Sequence, residues 1–95
     1  MYISNRRYQT DPKSADEVIR RVEDGFAHIL SASPGFVNYY CFRNADGIIN
    51  SISIFNTEQE AESSNRAAAQ WVSKHLAELL PNPPEIVAGE LGVRR

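Results

Sequence analysis

No stretch of this 95-residue chain approaches the length of a membrane span, and its N-terminus lacks the basic region and apolar run of a secretory signal, so a cytoplasmic location is expected. Cysteine is nearly absent: Cys41 stands alone and cannot close an internal disulfide. Charge of one sign is missing as well. Ten basic and twelve acidic residues give a formal net charge of -2, and the basic ones are scattered, six of them in the separate pairs Arg6 and Arg7, Arg20 and Arg21, Arg94 and Arg95. That pattern leaves no electrostatic footprint for nucleic acid. There is no glycine-rich phosphate loop, no Ser-His-Asp set and no close carboxylate pair. His28, His75 and Cys41 come from three separate segments without paired ligands, so no metal site is expected.

What remains is ordinary globular composition, 42% hydrophobic and 23% charged, in a length suited to a single domain over residues 1–95. A domain this small buries only about two-thirds of the surface of its unfolded chain, so self-association would add useful burial. Tyr2 to Gln9 reads as a strand closed by Thr10-Asp11-Pro12. Ser14-Ala-Asp-Glu17 has the form of a capping box, followed by Val18, Ile19, Val22, Phe26, Ile29 and Leu30 at helical spacing. Ser33-Pro34-Gly35 ends that helix.

Phe36 to Arg43 and Ile48 to Phe55 are rich in β-branched and aromatic residues and flank Asn44-Ala-Asp-Gly47, which predicts a hairpin. Thr57-Glu-Gln-Glu60 repeats the capping pattern and opens a second helix with Ala61, Asn65, Ala68, Val72, Leu76 and Leu79 facing inward, stopped by Pro81-Asn-Pro-Pro84. Ile86 to Val93, interrupted by Gly89 and Gly92, predicts a fourth strand with a bend or a close backbone approach. The order strand, helix, strand, strand, helix, strand is that of an α+β ferredoxin-like fold with a four-stranded antiparallel sheet.

Alternation sends Phe36, Tyr40 and Phe42 one way and Val37, Tyr39 and Cys41 the other, while Ile48, Ile52 and Ile54 oppose Ile49 and Phe55. Both faces of the hairpin are therefore apolar, yet two helices cover only one. A side chain of this kind is worth roughly 1.5–3 kcal/mol when fully buried. The expectation is a homodimer that packs the two uncovered faces together.

The Pro34-Gly35-Phe36 turn, the SISIF strand leading to the Thr57-capped helix, and Trp71 on that helix resemble the antibiotic biosynthesis monooxygenase domain family of the dimeric α+β barrel superfamily, over nearly the whole chain. The resemblance implies a homodimeric barrel with a ligand pocket in each subunit between helices and sheet. It further implies cofactor-independent oxygenation of an aromatic or quinol-like compound, in which a first-strand Asn and a second-helix Trp hold substrate or activate oxygen. Asn5 and Trp71 match these two positions. In the haem-degrading members a His lies several turns beyond the Trp, whereas His75 follows Trp71 by one turn, so haem degradation does not fit and no cofactor is expected.

The residues themselves leave alternatives. Trp71 and His75 stack on one side of the helix, either as an aromatic-binding wall with a titratable imidazole or as a core tryptophan beside an exposed histidine. Asn65 on the inward face either borders a polar pocket or bridges to the sheet. Ser51 and Ser53 either leave room for a ligand or are filled over by larger neighbours. Asn5 and Arg7 share one face of the first strand and Arg6 takes the other; an Arg reaching a pocket pairs with a carboxylate or phenolate ligand, and one outside it forms ion pairs with residues such as Glu90. Tyr39 and Tyr40 are split between faces, so one lines a cavity. The candidate site is thus Trp71, His75 and Asn5 for chemistry, with Asn65, Tyr39, Ser51, Ser53 and Arg7 for binding. The competing function is a non-catalytic homodimer that binds a small apolar ligand or acts in interaction alone.

Overall fold

A computed structural model describes residues 1–95. Strands β1 (Tyr2–Gln9), β2 (Phe36–Arg43), β3 (Ile48–Phe55) and β4 (Glu85–Glu90) form one antiparallel sheet in the order β2-β3-β1-β4. Helix α1 occupies residues 15–31 and helix α2 is Glu58–His75. This is the predicted ferredoxin-like order. Both helices lie on one face, where Val18, Phe26 and Leu30 of α1 and Ala61 and Ala68 of α2 meet Tyr8, Ile49 and Phe55 of the sheet in one core.

Helix α1 is not uniform. Ala15–Arg21 and Ala27–Ser31 are α-helical, and Val22–Phe26 between them is a π turn. From Val18 onward its buried residues, Val18, Val22, Phe26 and Leu30, recur every fourth position. In a plain α-helix such a row drifts by about 40° per step. The wider π turn takes up part of that drift, and Ile29 is left exposed. The helix start also departs from the expected box. Asp11 caps a short 3₁₀ turn (Pro12–Ser14) by accepting from the Lys13 N–H, while the Ser14 side chain makes no capping bond. Glu17 is drawn instead to the guanidinium groups of Arg20 and Arg21 at 2.6 and 2.8 Å. These two hydrogen bonds hold its carboxyl at about 2, well below its ordinary value.

The second box forms as predicted: the Glu60 N–H donates to Thr57 Oγ1 and the Thr57 N–H to the Glu60 carboxylate. Helix α2 ends at His75, before the prolines. The chain turns at Leu76, whose carbonyl accepts from the Leu80 N–H at 2.8 Å, and this turn buries Leu76 and Leu80 rather than Leu79. Strand β4 stops at Glu90 because its partner β1 runs out: Tyr2 pairs with Glu90, and the Leu91 N–H reaches Met1. No atom lies within 4 Å of where a side chain would begin at Gly89 or Gly92, so neither marks a close approach.

The hairpin register carries one irregularity. Phe36 pairs with Phe55 and Asn38 with Ile54, so Val37 is an extra residue that bulges β2. The bulge turns Phe36 onto the helix side, where its ring meets Phe55 edge-on at 5.9 Å, instead of leaving it with Tyr40 and Phe42. Gly35, with φ of +77°, supplies the left-handed turn just before it. Tyr40 (57% exposed), Phe42 (51%) and Val87 (65%) remain on the uncovered side of the sheet.

Candidate functional site

Alternation along β1 places Ser4, Arg6 and Tyr8 under the helices, and all three are buried. Arg6 is 1% exposed. Opposite it on β3 stand Ser51 and, beside Ser4, Ser53. Their small side chains make room for the guanidinium, which donates from Nη2 to Ser51 Oγ at 3.1 Å and from Nη1 to Ser53 Oγ at 3.2 Å. Nη1 also donates to Asn65 Oδ1 on α2 at 2.7 Å, and Ser4 Oγ reaches the same oxygen at 2.9 Å. The guanidinium carbon lies 5.6 Å from the centre of the Phe26 ring, in cation–π range.

Every hydrogen-bond acceptor in this cluster is neutral. None of the ion pairs of the chain involves Arg6, and its buried Nε finds no acceptor among protein atoms. The nearby acids do not balance the charge either. Burial pushes the Tyr8 and Tyr39 hydroxyls and the Cys41 thiol up from their ordinary values; the Arg6 charge pulls each back without reversing the direction, so all three are neutral at pH 7. An ion buried without a partner costs several kcal/mol. Arg6 is the largest buried polar side chain in the protein and the only fully buried charge.

Beside Arg6 lies a cavity of about 20 Å³, walled by Phe26, Tyr39, Cys41, Trp71 and Val72 and floored by Ser51. That is room for about one water. The Tyr39 hydroxyl and Ser51 Oγ are 2.6 Å apart, so the Arg6 network runs on to Tyr39. Trp71 closes the cavity. Its half-exposed ring packs on Phe26 (5.6 Å between centres) and on His75 (5.0 Å). It also lies against Gly25 in the π turn of α1, where a side chain would begin only 2.8 Å from Trp71 Cζ2. On the far side the same ring lines an open cleft of about 410 Å³ with Arg20, Arg21, Asp24, Gly25 and His75.

The expected site residues are thereby divided. Asn65, Ser51, Ser53 and Tyr39 gather around Arg6, and Trp71 stands at the cavity wall. Ser51 and Ser53 leave no ligand-sized space, because the Arg6 side chain occupies it. His75 is exposed and touches only the outer side of the Trp71 ring among these residues. Asn5 and Arg7 lie on the opposite face of the sheet: Asn5 Nδ2 donates to Asn50 Oδ1 at 3.2 Å, and both residues line a cleft with Asn44, Ile48, Glu85 and Val87. The sheet separates them from Trp71. Glu90 pairs with the N-terminal ammonium at 3.6 Å rather than with an arginine. The residue missing from the expected set is Arg6. Its signal is the Ser51/Ser53 pair of small polar residues across the strand. No group of three or more His, Cys, Asp or Glu comes together, and no helix is long and apolar enough to cross a membrane.

No family model and no curated protein matches the chain. Solved structures do. A monooxygenase from the gene ActVA-Orf6 of Streptomyces coelicolor, in complex with nanaomycin D, is 17% identical with a TM-score of 0.79, covering 99% of this chain and 89% of its own. The haem degrader MhuD of Mycobacterium tuberculosis, with two haems in its active site, is 14% identical with a TM-score of 0.77 over 100% and 99% of the two chains. An antibiotic biosynthesis monooxygenase is 9% identical with a TM-score of 0.74 over 98% and 100%. At such identities the likeness concerns the backbone. The chain has, from end to end, the ferredoxin-like α+β fold of antibiotic biosynthesis monooxygenase-type structures.

Proposed function

We propose that this protein is a cofactor-independent monooxygenase acting on a small aromatic or quinol-like compound. The observation that carries the proposal is the aromatic-walled cavity under Trp71, with the hydrogen-bonded Arg6, Asn65, Ser51 and Tyr39 cluster on its polar side. The cavity as it stands has room for about one water, so a flat ring would enter only with the Trp71 indole turned aside, lying then against Phe26 with its oxygen substituent on the polar cluster. An electron-rich methylene between two rings reacts with one O₂ to give a carbonyl and one water, the substrate supplying every electron, so no external reductant is needed. The protein contributes position, exclusion of water and a proton acceptor. His75, which lines the outer cleft against the Trp71 ring, is the imidazole available for that transfer once the indole is turned aside. Trp71 and His75 are then the catalytic pair, while Asn65, Tyr39, Ser51 and Ser53 bind through Arg6.

Asn5 and Arg7 belong in this scheme to a second surface. Tyr40, Phe42 and Val87 on the uncovered sheet face, with half-buried Ile3, Ile48 and Ile52 around them, form an apolar patch larger than a lone small domain usually exposes. A second copy packed sheet to sheet would cover it and enclose Asn5 and Arg7.

One feature favours the alternative, a dimer that binds a small ligand without turning it over: neither a carboxylate nor an imidazole lines the inner cavity. Oxygen uptake decides between the two. Consumption with hydroquinones or anthrones that falls at least about tenfold in Trp71→Phe and His75→Ala supports the enzyme; no uptake across such a panel leaves the binding protein.

A further inference from the structure

We infer that the ligand of this chain carries an anionic oxygen, a carboxylate or a phenolate or enolate, that Arg6 receives it, and that Trp71 is the door through which it enters. The inference rests on treating the cavity as a ligand site, but not on turnover. Arg6 is a full positive charge at 1% exposure whose guanidinium meets only neutral oxygens and whose Nε has no protein acceptor. A purely structural arginine in a core of this size is expected to bring a carboxylate with it, since a lone buried ion opposes folding. Here Asn65 stands where an Asp would complete the pair, 2.7 Å from Nη1. An amide at that point orients the guanidinium while leaving its charge available to an incoming anion.

The door follows from size. The inner cavity of about 20 Å³ admits no aromatic ring, whereas the cleft beyond Trp71 measures about 410 Å³, and the indole is the shared wall. Rotation of that one side chain joins the two spaces. Gly25 permits it, because the indole rests on bare backbone of the π turn and meets no side chain there. Arg20 and Arg21 line the outer cleft but are paired with Glu17, Asp24 and Glu78, so the cleft carries no net positive charge and the attraction for an anion comes from Arg6 itself.

Trp71 is the single tryptophan and reports directly on occupancy. 2-Naphthoate titrated into the protein at pH 7 should change its fluorescence saturably with Kd below about 1 mM, and 2-naphthalenemethanol, the neutral analogue, should bind at least about tenfold more weakly. Arg6→Met should abolish that preference. Asn65→Asp, which supplies an internal carboxylate, should weaken naphthoate at least about tenfold and leave the alcohol unchanged, and it serves if Arg6→Met fails to give a cooperative melt. 4-Nitrophenol separates the two anion types: capture as phenolate increases its yellow absorbance on adding protein, and no change confines the site to carboxylates. Equal binding of naphthoate and alcohol, a preference that survives in either variant, or no naphthoate signal at about 1 mM would overturn the inference. Naphthoate binding without any oxygen uptake would leave it standing while removing the monooxygenase proposal.

Discussion

Replacing Asn65 by Leu tests whether the polar cluster is one cooperating unit. Two hydrogen bonds end on Asn65 Oδ1, from Arg6 Nη1 at 2.7 Å and from Ser4 Oγ at 2.9 Å. The first is to a charged group and is worth roughly 1.5–3 kcal/mol; the Ser4 hydroxyl, fully buried and left without its partner, costs about 1–3 kcal/mol more. Leu at this half-buried position returns about 1 kcal/mol of apolar burial. The net loss is about 3 kcal/mol, or roughly 15 °C in Tm for a domain of this size. Asn65→Asp keeps an acceptor in place and gives Arg6 a charged partner 2.7 Å away, so it should melt at or above the parent. Thermal unfolding followed by circular dichroism reads both. An Asn65→Leu protein that melts at or above the parent would show that Arg6 needs no support from α2, and the cluster would lose its meaning as a site.

Gly25→Ala gains about 0.5–1 kcal/mol of helix propensity but forces a methyl to 2.8 Å from Trp71 Cζ2, an overpacking cost of about 1–3 kcal/mol. We expect a lower Tm with red-shifted Trp71 emission; a higher Tm with unchanged emission contradicts the contact. The Glu17 carboxyl is held at about 2, so its contribution to stability is present above its unfolded value near 4.5 and is lost as pH falls through 2. The fall in Tm between those pH values should be shallower in Glu17→Gln, and an equal slope refutes the pairing with Arg20 and Arg21. Tyr40→Glu combined with Phe42→Glu should turn a dimeric mass in light scattering into a monomeric one, and a monomeric parent at micromolar concentration removes the sheet-to-sheet packing. Burial pushes the Cys41 thiol up, so iodoacetamide at pH 8 should alkylate it more slowly than free cysteine; an equal rate contradicts its place in the cavity wall.

The elements that sequence displays best are those fixed by local chemistry. The β2–β3 hairpin and the Thr57 box stand where their residues put them, because turn loops and caps need only near neighbours. Strand β4 is shorter than its own residues suggest, since its length is set by where β1 begins. Phe36 faces the core against simple alternation because one bulged residue, Val37, reverses the count, and nothing in the FVN run marks the bulge. The candidate site was half legible for a related reason. Asn65, Ser51, Ser53 and Tyr39 stood out as polar residues at inward positions, and all four converge. Arg6 did not, because two adjacent arginines on a terminal strand read as surface charge, and burial of an unpaired guanidinium is rare. Asn5, taken from a family pattern, lies on the far face.

The most direct measurement is the NMR resonance of the Arg6 Nε–H, a buried donor with no protein acceptor. On addition of 2-naphthoate to the isotopically labelled protein, this resonance should move downfield together with the Trp71 indole N–H, and 2-naphthalenemethanol should leave it in place. A Trp71 signal that responds to both compounds while the Arg6 signal responds to neither would mean that the aromatic wall binds ligands and the buried cation is structural.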